Sequence, residues 1–377
     1  MHKRRFITKL LQLTHSNIPF KQFPPLFLAE RTGKTYFCFM KRYIRTITLL
    51  FVVLVALPFA CKKGEQTDEA HESIITTGES DIDNINLKIT KTPDNADLYA
   101  LRAEMYYDKN SFDQAIQDMT TALSIDSTNI DFHHLLSDIY LDYFRSNLAL
   151  KTMERAVTLE PENIESLLKL SEIQLFLKQN VASMQTIDKI LKIDPQNALA
   201  YFFMGMNYEE LGDINRAINS FQESSEIDPE MLDTWIKLGQ LHATVNTGLA
   251  EDFFNNAIEL DSSSTVALSA KAEYLWNQDK PKEALELYKT AIRKDPMSET
   301  SYYNAGLVLM ELDSVEQAYD HFNMAIENSP LYVGAYFYRG YAAELMGKKE
   351  QAKKDYEHAL RLAPEYTDAL NGMDRVR

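Results

Sequence analysis

Eight histidines and a surplus of carboxylates are the residues of this chain best equipped for chemistry, as metal ligands or as general acids and bases. The densest histidine group is His133 and His134, flanked by Asp131 and Asp138. Adjacent residues on a helix point about 100° apart, so these two imidazoles cannot readily share one ion, and no metal site is expected. His-Glu-x-x-His, Cys-x-x-Cys and Gly-x-Ser-x-Gly do not occur. Gly340 and Gly347-Lys348 lack the spacing of a phosphate-binding loop, since six residues separate the glycines and Lys349 stands where Ser or Thr should bind magnesium. The two cysteines, Cys38 and Cys61, both precede the region patterned as a fold, which excludes a disulfide framework and a thiolate metal site. Carboxylate pairs abound, but no pattern sets one pair apart as acid and base. The expectation is a protein that is not an enzyme and needs no cofactor or metal.

The elements that position these residues follow from composition and repetition. The chain has 377 residues, 45% hydrophobic and 25% charged, with only 12 Gly and 12 Pro, which is a folded and helix-favouring profile. Of 39 basic and 55 acidic residues, ten and one lie in residues 1–60, leaving 29 and 54 from Cys61 onward, a balance of −25. Such a surface repels a phosphate backbone, so nucleic acid is not an expected partner.

From Met40 the chain reads MKRYIRTITLLFVVLVALPFAC: a basic start, an apolar run from Ile47 to Ala60, and Cys61. The run is short for a bilayer span and has the proportions of a secretory signal. With Ala60 before Cys61, residues 40–60 resemble the signal peptide of bacterial lipoproteins, which implies acylation of Cys61 and a membrane anchor facing the periplasm. Pro58 and Phe59 depart from the usual residues of that motif, and an uncleaved anchor or an ordinary secretory signal cut nearby remain alternatives. Lys62, where an acid can retain a lipoprotein at the inner membrane, favours the outer membrane. Residues 1–39 are expected to be an over-extended start, 61–80 a polar flexible tether, and 81–95 an orphan helix able to cap the folded region after it.

A proline-ended phrase then recurs at Pro161, Pro195, Pro229, Pro296, Pro330 and Pro364; four of five steps are 34 residues and the other is 67, two units less one residue. In step with it runs a small residue (Ala103, Ser137, Ser171, Gly205, Gly239, Ala272, Gly306, Gly340). A bulky one follows sixteen later, or fifteen in the short unit (Met119, Met153, Ile187, Phe221, Phe254, Tyr288, Phe322, Tyr356). Small residues allow two antiparallel helices to approach. The aromatics Tyr99, Tyr201, Trp235, Tyr302 and Tyr336 are expected to fill the space they leave, and proline to end each second helix.

This pattern resembles the tetratricopeptide (TPR) repeat over residues 96–366, with units starting at 96, 130, 164, 198, 232, 265, 299 and 333. The resemblance implies an all-α fold: a right-handed superhelical solenoid of about eight helix-turn-helix repeats, closed by a capping helix over 367–377 in which Ala369, Leu370 and Met373 form the apolar face. The third unit (Ser183, Ile190) and the fifth (short near Asn246–Gly248) are where irregularity is expected. It also implies a concave groove lined by the first helices. At the inward register positions lie Asp97, Glu104, Asp131, His134, Asp138, Glu165 and Glu172 toward one end, which should be negative. Phe202, Met206, Trp276, Tyr303, Leu307, Phe337 and Tyr341 lie toward the other, which should be apolar; solvated acids and packing aromatics are the competing interpretation. The expected role is a non-catalytic, envelope-tethered scaffold for protein–protein interaction, holding a protein or peptide segment that is basic at one end and apolar at the other. The alternatives are an enzyme or enzyme subunit acting on envelope substrates, and a membrane-anchored regulator. The sequence leaves the oligomeric state open.

Overall fold

The structure is a computed structural model that describes residues 80–377. The expected signal segment, Cys61 and nearly all of the tether lie outside the described residues. Helix α1 (Ser80–Lys91) belongs to one compact unit of the chain and the helices after it to a second; each is taken by itself.

The second unit is built of helix pairs. These are α2 (Ala96–Asp108) with α3 (Phe112–Ile125), α4 (Ile130–Asp142) with α5 (Ser146–Leu159), α6 (Ile164–Phe176) with α7 (Asn180–Ile193), and α8 (Ala198–Glu210) with α9 (Ile214–Ile227). Then come α10 (Leu232–Thr244) with α11 (Ala250–Leu260), α12 (Thr265–Asn277) with α13 (Pro281–Lys294), α14 (Glu299–Glu311) with α15 (Val315–Asn328), and α16 (Val333–Leu345) with α17 (Lys349–Leu362). A single helix, α18 (Thr367–Arg375), ends the stack, and no strand occurs among the described residues. Each helix packs on the one before and the one after it in the chain, the order of a solenoid.

Turn chemistry sets this rhythm. Asp126, Asp194, Asp228, Asp261 and Asp295 each accept the backbone N–H two residues on, at 2.9 to 3.2 Å, and so start the turn between pairs. Asn129, Asn163, Asn197, Ser264 and Ser298 then cap the next first helix by accepting an N–H from its opening turn. Proline is therefore an accessory stop, since Asp126 and Asp261 end their helices without one. Within a pair, the turn needs one residue in the left-handed region, supplied by Asn110, Phe144, Lys178, Gly212, Asn246, Asp279, Asp313 and Gly347.

The close approach between paired helices is filled differently from expectation. A Cβ added at Gly205, Gly239 or Gly306 would stand 2.6 to 2.9 Å from the ring of Phe221, Phe254 or Phe322, so the second helix fills the space. The expected fillers on the first helices pack elsewhere: Trp235 stacks on Phe253, Tyr302 tilts against His321, and Tyr336 stacks on His358 at 4.0 Å. Trp235 and Tyr336 also donate hydrogen bonds back to the carbonyls of Pro229 and Pro330, tying each turn to its helix.

The fifth pair is irregular, as its length suggests: α11 has 11 residues where the other second helices have 14, and both Asn246 and Gly248 adopt positive φ. The third is not, because Ser183 donates to the Ser171 carbonyl at 2.9 Å and receives Asn207 Nδ2 at 2.9 Å, replacing the contacts an alanine would make. At the carboxyl end Ala369 is buried and Met373 packs against the core as expected, while Leu370 is 46% exposed and Gly372 and Val376 are buried in its stead. Gly372 lies against the Tyr356 ring, and Arg375 donates to both oxygens of Glu344.

Candidate interaction face

First helices of several neighbouring pairs touch one another (α2 with α4, α6 with α8, α10 with α12, α12 with α14, α14 with α16), while among the described residues no two second helices make a comparable contact. Elements that crowd lie on the inner side of a bend, so the first helices line the inner face of the stack. Polar bonds stitch them across this face. Tyr107 donates to Asp142 at 2.8 Å, Lys169 reaches both oxygens of Asp138 at 2.7 and 2.8 Å, Lys237 reaches Glu209 at 3.0 and 3.2 Å, and Trp276 Nε1 donates to Glu311 at 2.5 Å. The partners stand 28 to 35 residues apart, about one repeat, a signal that was available in the sequence.

At the acidic end, Asp97, Glu104, Asp131 and Glu165 are exposed. Asp138 is neutralised by Lys169. Glu172, at the register position equivalent to Glu104 and Asp138, is different: its Oε1 is buried without a hydrogen-bond partner. Burial drives its carboxyl up to about 8, against the pull of the Lys169 charge and with a smaller push from Asp138, so it holds its proton at neutral pH. This end is less negative than a count of carboxylates suggests. Glu273 occupies the same register on α12, where burial also raises its carboxyl. It escapes a reading that seeks acids only in the first three pairs, although it follows Ala272 just as Glu172 follows Ser171.

His133 and His134 do diverge, the first with Nε2 3.1 Å from the Ser127 carbonyl and the second with Nε2 2.8 Å from Ser166 Oγ. Burial lowers the His134 pKa and Lys169 adds to the effect, which leaves the ring neutral at pH 7. Among the described residues no three His, Cys, Asp or Glu side chains gather as a metal site would require.

The aromatic end is mostly core. Phe202, Met206, Tyr303 and Phe337 are 1 to 9% exposed. Phe202 packs edge-on to Phe221, and Tyr303 and Phe337 join Tyr332, Tyr338 and Tyr366 in one ring cluster. Phe202, Tyr303 and Phe337, three before the small residue, face the interior, and Met206, one after it, is buried as well, so the expectation of an open aromatic surface fails at these four positions. Leu307, Tyr341 and Trp276 keep partial exposure and remain on the face.

The fold and face together define a class: an all-helical solenoid whose first helices present one continuous inner surface. Models of the tetratricopeptide repeat match residues 96–129, 198–231, 269–333 and 333–366, so the stack is a tetratricopeptide-repeat solenoid. No curated protein sequence matches the chain. Among solved structures it resembles the APC/C hetero-tetramer Cut9-Hcn1, with 16% identity, a TM-score of 0.51, and coverage of 78% of this chain and 58% of that one. It also resembles yeast Tom70, with 18% identity, a TM-score of 0.56, and coverage of 70% and 59%. A tetratricopeptide repeat protein from Parabacteroides merdae aligns at 18% identity and a TM-score of 0.49 over 66% of this chain and 98% of that one. The chain thus spans under two thirds of Cut9-Hcn1 and Tom70, and at these identities the likeness is one of fold.

Proposed function

We propose that this chain is a non-catalytic scaffold that holds a segment of another protein along the inner face of its first helices, tethered to the bacterial envelope through a lipid on Cys61. One observation carries the binding half: the accessible carboxylates Asp97, Glu104, Asp131 and Glu165 sit on the very helices that crowd together on the inner face. A segment laid across them gains most if its first part is basic, and Trp276, Leu307 and Tyr341 farther along favour apolar residues in its second part. Support for the tether comes from the sequence, with its basic start, apolar run and Ala60-Cys61. Among the described residues no helix is long and apolar enough to cross a membrane.

The test reverses the four accessible charges together (Asp97→Lys, Glu104→Lys, Asp131→Lys, Glu165→Lys). Asp138 is left alone because it is paired, and Glu172 because it is buried. The scaffold immobilised from Cys61 onward captures a lysine-rich, leucine-tailed peptide in low salt and releases it in high salt, and the reversed variant captures none. Equal capture by both proteins refutes the reading. For the tether, labelled palmitate enters the full chain and not Cys61→Ala; label in both, or in neither, rejects it.

A further inference from the structure

Three carboxylates occupy equivalent register positions on consecutive first helices, and each has a different fate: Glu104 is solvated, Asp138 is paired with Lys169, and Glu172 is paired with nothing while its Oε1 is sequestered. The nearest cation is already committed, because Lys169 Nζ sits 2.7 and 2.8 Å from the two oxygens of Asp138. Glu172 retains some exposed surface although its Oε1 is closed off, so a chain lying over α4 and α6 engages that oxygen by drawing the side chain outward.

We propose that Glu172 is the point on the inner face that receives one cationic side chain of the guest, an ammonium or a guanidinium, whose N–H groups satisfy its unpartnered oxygen. This inference rests on the reading that a basic segment lies along the face. The occupant is cationic because the group to be satisfied is a carboxyl whose one neighbouring cation, Lys169, is bound to both oxygens of Asp138. In the free chain the carboxyl is protonated at pH 7, burial being the main cause. Arrival of the cation favours the carboxylate: the O–H bond breaks, its proton passes to the buffer, and the guest keeps its charge. One proton is released per guest, and the net charge of the site is unchanged. The groups that act on this carboxyl are Lys169 from its own helix and Asp138 from α4; α5, α7 and α8, which also pack on α6, direct no charge at it.

The experiment uses the chain from Cys61 and a short fluorescein-labelled peptide, lysine-rich in its first half and leucine-rich in its second. Binding is followed by anisotropy across about pH 6 to 9, and proton release by calorimetry in two buffers of different ionisation heat. The expected affinity rises by up to about tenfold per pH unit toward pH 8 and then levels off, with a proton released below that point. Glu172→Gln, which copies the shape of the protonated acid and so keeps the fold, should bind more weakly and lose this slope; subtracting its profile removes any histidine contribution. Salt-sensitive binding with the same pH profile in both proteins overturns the role of Glu172 and leaves the basic-guest reading standing. No binding by either protein at any pH overturns both.

Discussion

Phe144 shows how a single residue can be read against its seven counterparts. The turn inside each pair requires one left-handed residue, and six of the other seven positions hold Asn, Asp or Gly, the types that tolerate it, while Lys178 fills the last. Phe144 sits there at φ 57 with 91% of its surface exposed, so it bears the steric penalty and returns little burial. Phe144→Asn should therefore raise stability by about 1 kcal/mol, seen as a Tm increase of a few degrees; a lower Tm would show that the ring makes contacts worth more than the strain. Glu172 yields a second expectation. Its folded pKa of about 8 lies above the ordinary carboxylate value, so between the two the unfolded chain has lost a proton that the folded chain keeps. Stability from this group should fall as pH rises from about 4.5 to 8, approaching about 1.4 kcal/mol per pH unit, and stay flat above. Urea midpoints measured at intervals across that range should show the slope in the native chain and its loss in Glu172→Gln. The sequence marked Glu172 as an inward-facing acid but could not reveal its protonation, because burial depends on neighbours from three helices. Phe202 and Tyr303 were misplaced for a related reason: helical spacing gives a direction, and whether that direction ends in solvent or in the next helix is a matter of packing.

At the scale of the helix pair, most of the design was legible. A small residue followed sixteen later by a bulky one identifies two antiparallel helices in contact, and the structure places each such glycine against the ring of its own pair. The choice of filler was not legible, since either aromatic could occupy the gap on spacing alone. The contact at Gly306 is the tightest: a methyl group there would lie 2.6 Å from the Phe322 ring. Phe322 belongs to a buried cluster that runs from Ala272 to Val376, and Gly306 is buried beside it, which leaves the ring little room to retreat. Gly306→Ala should gain about 1 kcal/mol of helix propensity and lose about 1–3 kcal/mol to overpacking, a net destabilisation. Phe322→Leu alone opens a cavity and should also destabilise. The two together should restore more stability than the sum of the single effects allows, because the added methyl occupies space that the ring vacates. Additive losses in a double-mutant cycle measured by urea denaturation would mean that this pair is not the contact that sets the helix spacing.

A stack of repeats has no single core, and its cooperativity is only as good as the joints between neighbours. The weakest joint should be the fifth pair. There α11 is three residues shorter than its counterparts, and the turn before it holds two residues at positive φ, Asn246 and Gly248, where each other pair has one. The residues after it are bound differently: the buried cluster from Ala272 to Val376 is continuous through α12 to α18, and the Arg375, Glu344 and Tyr356 side chains fasten the last helix by hydrogen bonds of 2.6 to 2.9 Å. Burial tends to raise the Glu344 carboxyl, but the bonds from Arg375 and Tyr356 prevail and hold it below its usual range, so this clasp persists down to acidic pH. Opening should therefore begin in the fifth pair and stop at α12. In native-state hydrogen exchange under low urea, amides of residues 245–260 should exchange through an opening smaller by about 2 kcal/mol than those of α12 to α18, which should share one larger value. A single common opening energy along the whole stack would show that the shortened turn transmits neighbour contacts as well as a full-length one, and that the 67-residue step between prolines has no energetic consequence.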